Sequence, residues 1–235
     1  MQNLTHVFLD LDHTLWDFDK NSYLTLQVLY EELDLTAKTD IYFEVFFDMY
    51  KKINAELWKA YNTHSISQSE LRNTRFIRVF EALNREISSQ INDILAFEYV
   101  HRCTRTGHLI EGAEELLQHL QGNYEYHIIT NGFNDSQWAK VEHSKLIQYI
   151  KPEQLTTSEQ AGAHKPNKRI FEHVCNGYNV SPQQCIMIGD NLDTDILGAR
   201  QAGITSVWFA PHETEKHTLP DIQITHLNQL TAFLK

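Results

Sequence analysis

Asp10-Leu11-Asp12-His13-Thr14-Leu15 sets two carboxylates two residues apart, directly after the short apolar run Val7–Leu9. Along an extended strand end such a pair shares a face. Once the chain leaves the strand, each carboxylate can take a separate role. One can attack an electrophile, while the other protonates the leaving group and later takes a proton from water. A carboxylate is a weak nucleophile and needs a strongly electrophilic centre held in line. Phosphorus with its charge masked by a cation meets that need. Two solvated turn aspartates would give the same pattern, so this motif alone leaves both readings open.

Three further segments carry compatible chemistry. In Ile128-Ile129-Thr130-Asn131-Gly132 the Thr130 hydroxyl and the Asn131 backbone N–H can receive a phosphoryl oxygen; an ordinary Asn-Gly turn is the alternative. Lys165 in His164-Lys165-Pro166-Asn167 precedes a proline, so it is expected to be extended and just outside a helix beginning near Asn167. There it can serve as a fixed positive charge beside a nucleophilic carboxylate and the phosphoryl oxygens. In Gly189-Asp190-Asn191-Leu192-Asp193-Thr194-Asp195, Asp190 suits a hard cation such as Mg²⁺, which takes oxygen ligands. Asp193 reads as a helix N-cap. Asp195 lies in the first turn, where it could hold Lys165 or a metal-bound water.

The elements that must position these groups are legible as alternating runs. Val7–Leu9, Tyr126–Ile129, Ile186–Ile188 and Ile204–Phe209 read as strands buried on both faces. Helical patterns separate them at Glu114–Gln121, Asp135–Ile147, Lys168–Tyr178 and Asp193–Ala202. That alternation predicts an α/β fold, a parallel sheet with helices on both faces. The first three strands end in Asp10, in Thr130-Asn131-Gly132 and in Gly189-Asp190, which puts their polar groups on the carboxyl edge where open α/β sheets bind ligands. Between about Asp17 and His108 the alternation stops. Ser22–Leu33, Ile41–Tyr61, Ser67–Leu83 and Ser89–Arg102 show helical spacing, for example at Phe43, Phe46, Phe47 and Tyr50. The expected organisation is a core of residues 1–16 and 109–235 with an all-helical insertion at 17–108. Its aromatics are expected to form helix–helix core.

Composition narrows the class. The chain has 235 residues, room for one large domain or a core with an insertion. A net charge of −11 disfavours a nucleic acid polymer as partner, since a polyphosphate would be repelled. No apolar run reaches the length of a membrane span, and MQNLTHVFLD lacks a basic leader, so a cytoplasmic protein without membrane contact is expected. Cys103, Cys175 and Cys185 are odd in number and widely spaced, which predicts reduced, buried thiols. Oligomeric state is not legible.

Taken in order, DLDHTL, ITNG, the lysine of HKPN and GDNLDTD resemble the four motifs of the haloacid dehalogenase superfamily, and the resemblance covers essentially the whole chain. It implies a Rossmann-like core with a helical cap and aspartate-nucleophile chemistry. Asp10 would be the nucleophile that becomes aspartyl-phosphate. Asp12 would be the general acid/base, its main-chain carbonyl binding Mg²⁺; His13 beside it would add little. Thr130 and the Asn131 amide would hold the phosphoryl group, Lys165 would balance charge, Asp190 would complete the metal site and Asp195 would support it. An Asp at position 12 favours phosphoryl transfer over dehalogenation. Ile53–Tyr61, Arg75-Phe76, Ile128–Phe133 and Lys165–Phe171 resemble the bacterial pyrimidine 5′-nucleotidase branch. The substrate implied is a small phosphorylated metabolite, a nucleoside monophosphate, including non-standard pyrimidines. Trp16, Trp58, Tyr61 and Phe133 are then candidates to stack on a base, with Asn54 and Arg75 for hydrogen bonds or charge. The alternatives are a sugar-phosphate or phosphoglycolate phosphatase, a phosphomutase, or a non-catalytic protein that binds a phosphorylated metabolite.

Overall fold

The computed structural model describes residues 4–234. In chain order the elements are β1 (His6–Leu9), α1 (Phe18–Glu32), α2 (Leu35–Thr39), α3 (Phe43–Asn62), α4 (Gln68–Ala82), α5 (Ser89–Cys103) and α6 (Ala113–Leu120). They continue with β2 (Glu125–Thr130), α7 (Asn134–Glu142), β3 (Leu155–Thr157), α8 (Ser158–Ala161), α9 (Lys168–Tyr178), β4 (Cys185–Gly189), α10 (Leu197–Gln201), β5 (Thr205–Phe209) and β6 (Ile222–Ile224). Short 3₁₀ turns and one π-helical turn, Leu192–Ile196, link several of them. The chain divides into two compact units. One joins the chain up to Phe18 with the chain from Gly107 onward; the other is Asp19–Thr106.

The first unit is built on a six-stranded sheet in the order β3-β2-β1-β4-β5-β6, with every neighbouring pair parallel. β1, β2 and β4 read as near-continuous apolar runs because helices cover both faces of a parallel sheet. Phe8, Ile129, Met187, Ile170, Phe171 and Val174 form one buried cluster on one of those faces. The chain runs outward from β1 in both directions, so β1 and β4 flank the point where strand order reverses. Ligands of open α/β sheets bind at that crevice. Two strands were not legible in the sequence, β3 and β6, both three residues long and both at sheet edges. Leu-Thr-Thr and Ile-Gln-Ile carry too little apolar surface to stand out. The expected helix at 135–147 is two pieces: α7 stops at Glu142, and extended Ser144 caps a separate 3₁₀ turn by accepting from the Leu146 N–H.

The second unit is entirely helical among the described residues, α1 after its first residue through α5. Ser22, Thr25, Leu26, Leu29 and Tyr30 recur on the buried face of α1 at helical spacing, as do Phe46, Phe47, Tyr50, Ile53 and Leu57 on α3. The aromatics meet one another: Phe46 lies 4.9 Å from Tyr30 and 5.3 Å from Phe80 between ring centres, and Tyr50 lies 6.1 Å from Phe76. The expected aromatic helix–helix core is therefore present. α4 begins with a reciprocal cap, Ser67 Oγ accepting from the Glu70 N–H while Glu70 Oε2 accepts from the Ser67 N–H. The three cysteines are free and buried, with the Cys175 and Cys185 sulfurs 4.0 Å apart.

Candidate active site

Asp10 follows β1 directly, and its N–H still donates to Ile188 O of β4 at 2.9 Å, so the ladder itself fixes where the carboxylate leaves the sheet. The chain then turns back tightly. The Leu15 and Trp16 N–H groups both donate to Leu11 O, the His13 N–H donates to Trp16 O, and His13 takes a left-handed backbone at φ 60°. Such a turn commits Asp12 to a fixed place beside Asp10, while Thr14 donates to the Asp190 carboxylate at 3.4 Å.

Lys165 is 2% exposed, and its ammonium lies against three oxygens. It donates to Asp10 Oδ1 at 2.6 Å and to Ile129 O at 2.7 Å, and it lies 2.7 Å from Asp195 Oδ1. The Asn131 side chain holds the Lys165 backbone from both sides: Oδ1 accepts from its N–H at 2.8 Å and Nδ2 donates to its carbonyl at 2.9 Å. The side chain of Asn131 thus has a structural role beside the one the sequence suggests for its backbone N–H. α9 begins where expected, just after Asn167, whose Oδ1 accepts from the Arg169 N–H as its cap.

Asp190 directly follows β4, and its carbonyl accepts from the Trp208 indole at 2.7 Å. Asp195 folds back over Gly189, where a β-carbon would lie 2.3 Å from Asp195 Oδ2. Glycine at 189 is therefore what lets the carboxylate approach. The N-cap of the following turn is Asn191, which accepts from the N–H groups of Asp193 and Thr194, so the N-cap role expected for Asp193 is corrected. Asn191 wins because it is the residue still in extended conformation as the chain leaves the strand.

Carboxylate oxygens of Asp10, Asp190 and Asp195 all lie within 4.8 Å of one another. Burial pushes the Asp10 carboxyl up to about 7 against the pull of Lys165, with Asp195 and Asp12 adding to the rise. Burial, then the charges of Asp195 and Asp10, holds Asp190 well above the usual carboxylate range. Burial works against the Lys165 charge, but Asp10 and Asp195 outweigh it and hold the ammonium protonated. Three carboxylates against one ammonium leave a hard, all-oxygen donor set with surplus negative charge. That set fits Mg²⁺.

Asp12 lies outside that set. Its oxygens accept from Lys140 at 2.6 and 2.8 Å and from Gln137 Nε2 at 3.0 Å. Burial alone would raise its carboxyl; Lys140, then Gln137, outweighs burial and holds it below its ordinary value. Neither partner belongs to a motif that the sequence marks. The available signal was two polar side chains, Gln137 and Lys140, one helical turn apart on the buried face of α7. Thr130 is buried at the end of β2, and its Oγ1 accepts from the Gly132 N–H at 3.0 Å. A β-carbon at Gly132 would meet Gln137 Nε2 at 1.5 Å, so a side chain there would displace the amide that donates to Asp12.

The stacking candidates fare differently. Trp16 is 0% exposed, with the Lys140 ammonium 4.7 Å from its ring centre. The tight turn that places Asp12 folds Trp16 into the core, so its expected role as a base-stacking surface is corrected. Phe133, the residue before α7, is buried as well and presents no open face. Asn54, Trp58, Tyr61 and Arg75 all belong to the helical unit. Trp58 meets Tyr61 edge-on at 5.7 Å between ring centres. Arg75 is buried with its guanidinium 5.1 Å from the centre of the Tyr99 ring. Arg75 Nε and Asn54 Oδ1 are buried without a hydrogen-bond partner among the described residues.

A parallel sheet in this order carries an aspartate-rich cluster and a buried lysine at its reversal point. The family model for haloacid dehalogenase-like hydrolases matches residues 4–203, and the chain belongs to that family. It is 35% identical over 217 residues to pyrimidine 5′-nucleotidase PynA of Streptococcus pneumoniae, spanning 90% of this chain and 86% of that one. It is 31% identical over 231 residues to pyrimidine 5′-nucleotidase YjjG of Escherichia coli, spanning 97% and 96%. The magnesium-bound crystal structure of YfnB from Bacillus subtilis superposes with a TM-score of 0.85 at 27% identity, each chain covered completely. No helix among the described residues is long and apolar enough to cross a membrane.

Proposed function

We propose that this enzyme is a Mg²⁺-dependent phosphomonoesterase that works through a phosphorylated Asp10 and takes pyrimidine nucleoside monophosphates as substrates. One observation carries the chemistry: a buried carboxylate, Asp10, shares Lys165 with Asp195 and clusters with Asp190, while a second carboxylate, Asp12, is held separately two residues on. A protein that only bound a phosphorylated metabolite would need neither the nucleophile nor the second, independently held carboxylate. The substrate class rests on the similarity to PynA and YjjG, two pyrimidine 5′-nucleotidases.

Asp10, Asp190 and the Asp12 carbonyl would hold Mg²⁺, with Asp195 in support. When bound, the ion masks phosphoryl charge and so makes phosphorus more electrophilic. An Asp10 oxygen forms a bond to phosphorus as the bond from phosphorus to the ribose 5′-oxygen breaks. Asp12, held as an anion by Lys140 in the free protein, takes the proton carried in by the monoanionic phosphate and gives it to that departing oxygen. Water then attacks phosphorus, Asp12 takes the proton, and the bond to Asp10 breaks to release inorganic phosphate. Lys165, the Thr130 hydroxyl and the Asn131 N–H receive the phosphoryl oxygens. The helical unit supplies candidates for base recognition in Asn54, Trp58 and Arg75. Buried polar atoms left unpaired cost roughly 1–3 kcal/mol each, a cost that a ligand's hydrogen bonds would offset.

The test is phosphate release from nucleoside monophosphates and sugar phosphates, with Mg²⁺ and with EDTA. Mg²⁺-dependent release led by UMP, dUMP, dTMP or modified pyrimidine analogues is the expected result. Release led by a sugar phosphate would keep the chemistry and overturn the substrate. Interconversion of isomers without phosphate release would mark a mutase.

A further inference from the structure

Lys140 makes the closest polar contacts to Asp12, yet none of the four motifs contains it. It is 5% exposed, and its ammonium bridges both Asp12 oxygens at 2.6 and 2.8 Å. Gln137, one turn earlier on α7, adds a hydrogen bond to Asp12 Oδ2 at 3.0 Å. Two aromatic rings flank the same ammonium, Trp16 at 4.7 Å and Phe18 at 5.7 Å from their centres. A lysine in water has many rotamers; this one has a single slot with an aromatic floor and a carboxylate at its end. The slot is assembled from the turn after β1 and from the helix after β2, so the sheet that places Asp10 also places the holder of Asp12.

We propose that Lys140, assisted by Gln137, is a positioning residue that fixes the Asp12 carboxylate in one orientation for its proton transfers, with Trp16 as the floor of the lysine slot. This rests on the assignment of Asp12 as general acid/base. Fixing both carboxylate oxygens from one side limits rotation about the Asp12 side chain. Proton transfer then meets a group already oriented, and loss of that order lowers the rate of steps that need the transfer. Steps that do not need it are spared.

The experiment uses p-nitrophenyl phosphate beside a nucleoside monophosphate, with stopped-flow detection of nitrophenolate. Nitrophenolate leaves without a proton, so phosphorylation of Asp10 proceeds without Asp12, whereas water attack on the phosphorylated enzyme still requires it. Lys140→Met is expected to release about one nitrophenolate per active site in a fast burst. Its steady state should then run about 10- to 100-fold slower than wild type, part of the ~10²–10⁴ that a general acid/base supplies. On the nucleotide no such fast phase is expected, because the first step also needs the proton. Lys140→Arg should recover much of the steady-state rate. Gln137→Leu should show the same pattern more weakly, and it keeps the test open if Lys140→Met does not fold. Asp12→Asn is the reference: if it lacks the burst pattern, the assignment of Asp12 falls. If Asp12→Asn shows the pattern while folded Lys140→Met matches wild type, or loses burst and steady state equally, the proposal for Lys140 is overturned.

Discussion

The two units bury polar groups in opposite ways. In the α/β unit charge is concentrated and cross-paired: Lys165 serves Asp10 and Asp195, and Lys140 serves Asp12. In the helical unit the buried polar groups are mostly neutral and sit among aromatic rings. Ser22 Oγ meets the Tyr99 hydroxyl at 2.8 Å, the Tyr99 and Tyr50 hydroxyls meet each other, and Arg75 lies over the Tyr99 ring. Burial raises the Tyr50 hydroxyl to about 12, so this network stays neutral throughout the working range of pH. Charge in the first unit is arranged for chemistry at one edge of a sheet, whereas the hydroxyl network of the second is arranged for packing. The contrast teaches that a residue's type says less about its role than the element end on which it falls.

The sharpest way to break this comparison is at Lys165. Lys165→Met should lower turnover on the order of 10²-fold or more, because a charge aimed at the phosphoryl group is lost. It also leaves Asp10 and Asp195 facing each other, and removing one partner of a buried ion pair costs about 3–5 kcal/mol. Denaturant unfolding with EDTA should show that loss, and Mg²⁺ should recover part of it. Tyr50→Phe, in the helical unit, should cost only about 1 kcal/mol for a lost hydroxyl contact. Its Mg²⁺-dependent turnover of p-nitrophenyl phosphate should stay within about twofold of wild type. If Tyr50→Phe lowered that turnover as deeply as Lys165→Met, the contrast between the units would not hold.

Acidity separates the units further. Asp10 and Asp190 keep their protons well above the ordinary value of 3.8 in the metal-free protein. Between about pH 4 and 7 these two carboxyls therefore bind more protons in the folded chain than in the unfolded chain. The stability from Asp10 is fully present below pH 3.8 and is lost as pH rises through about 7; that from Asp190 is lost only well above 3.8. Mg²⁺ competes with those protons, so the rise in Tm on adding Mg²⁺ should grow across the same window. A rise independent of pH would contradict the clustered-carboxylate account. The smallest expected effect is local to the helical unit. Ser67→Ala removes the cap of α4 and should cost about 1 kcal/mol by denaturant unfolding, with no change in Mg²⁺ dependence.

What the sequence made legible follows the same physics. Val7–Leu9, Tyr126–Ile129 and Ile186–Ile188 stand out because strands buried on both faces must be continuously apolar, and each ends where a polar residue begins. The places of Asp10, Thr130 and Asp190 at strand ends were therefore readable from local pattern, while the roles proposed for them came from the resemblance of the ordered motif set. β3 and β6 were not, since an edge strand of three residues carries no such run. Lys140 escaped because its partner lies 128 residues away and nothing in local spacing marks a salt bridge. Trp16 misled for a related reason: a large aromatic beside a catalytic motif suggests a ligand surface, but the backbone turn that returns to Leu11 O takes the ring into the core. Asp193 misled because Asn191 and Asp193 are both good caps, and only the backbone shows which one is still extended.

The most direct test of the account is to stop the reaction with acid during turnover of a nucleoside monophosphate in Mg²⁺ and map the modified peptide by mass spectrometry. The account predicts a phosphoryl group on Asp10 in the wild-type enzyme. It also predicts that folded Asp10→Asn carries none and loses turnover on the order of 10⁴-fold or more. Phosphate release from Asp10→Asn at the wild-type rate would contradict it.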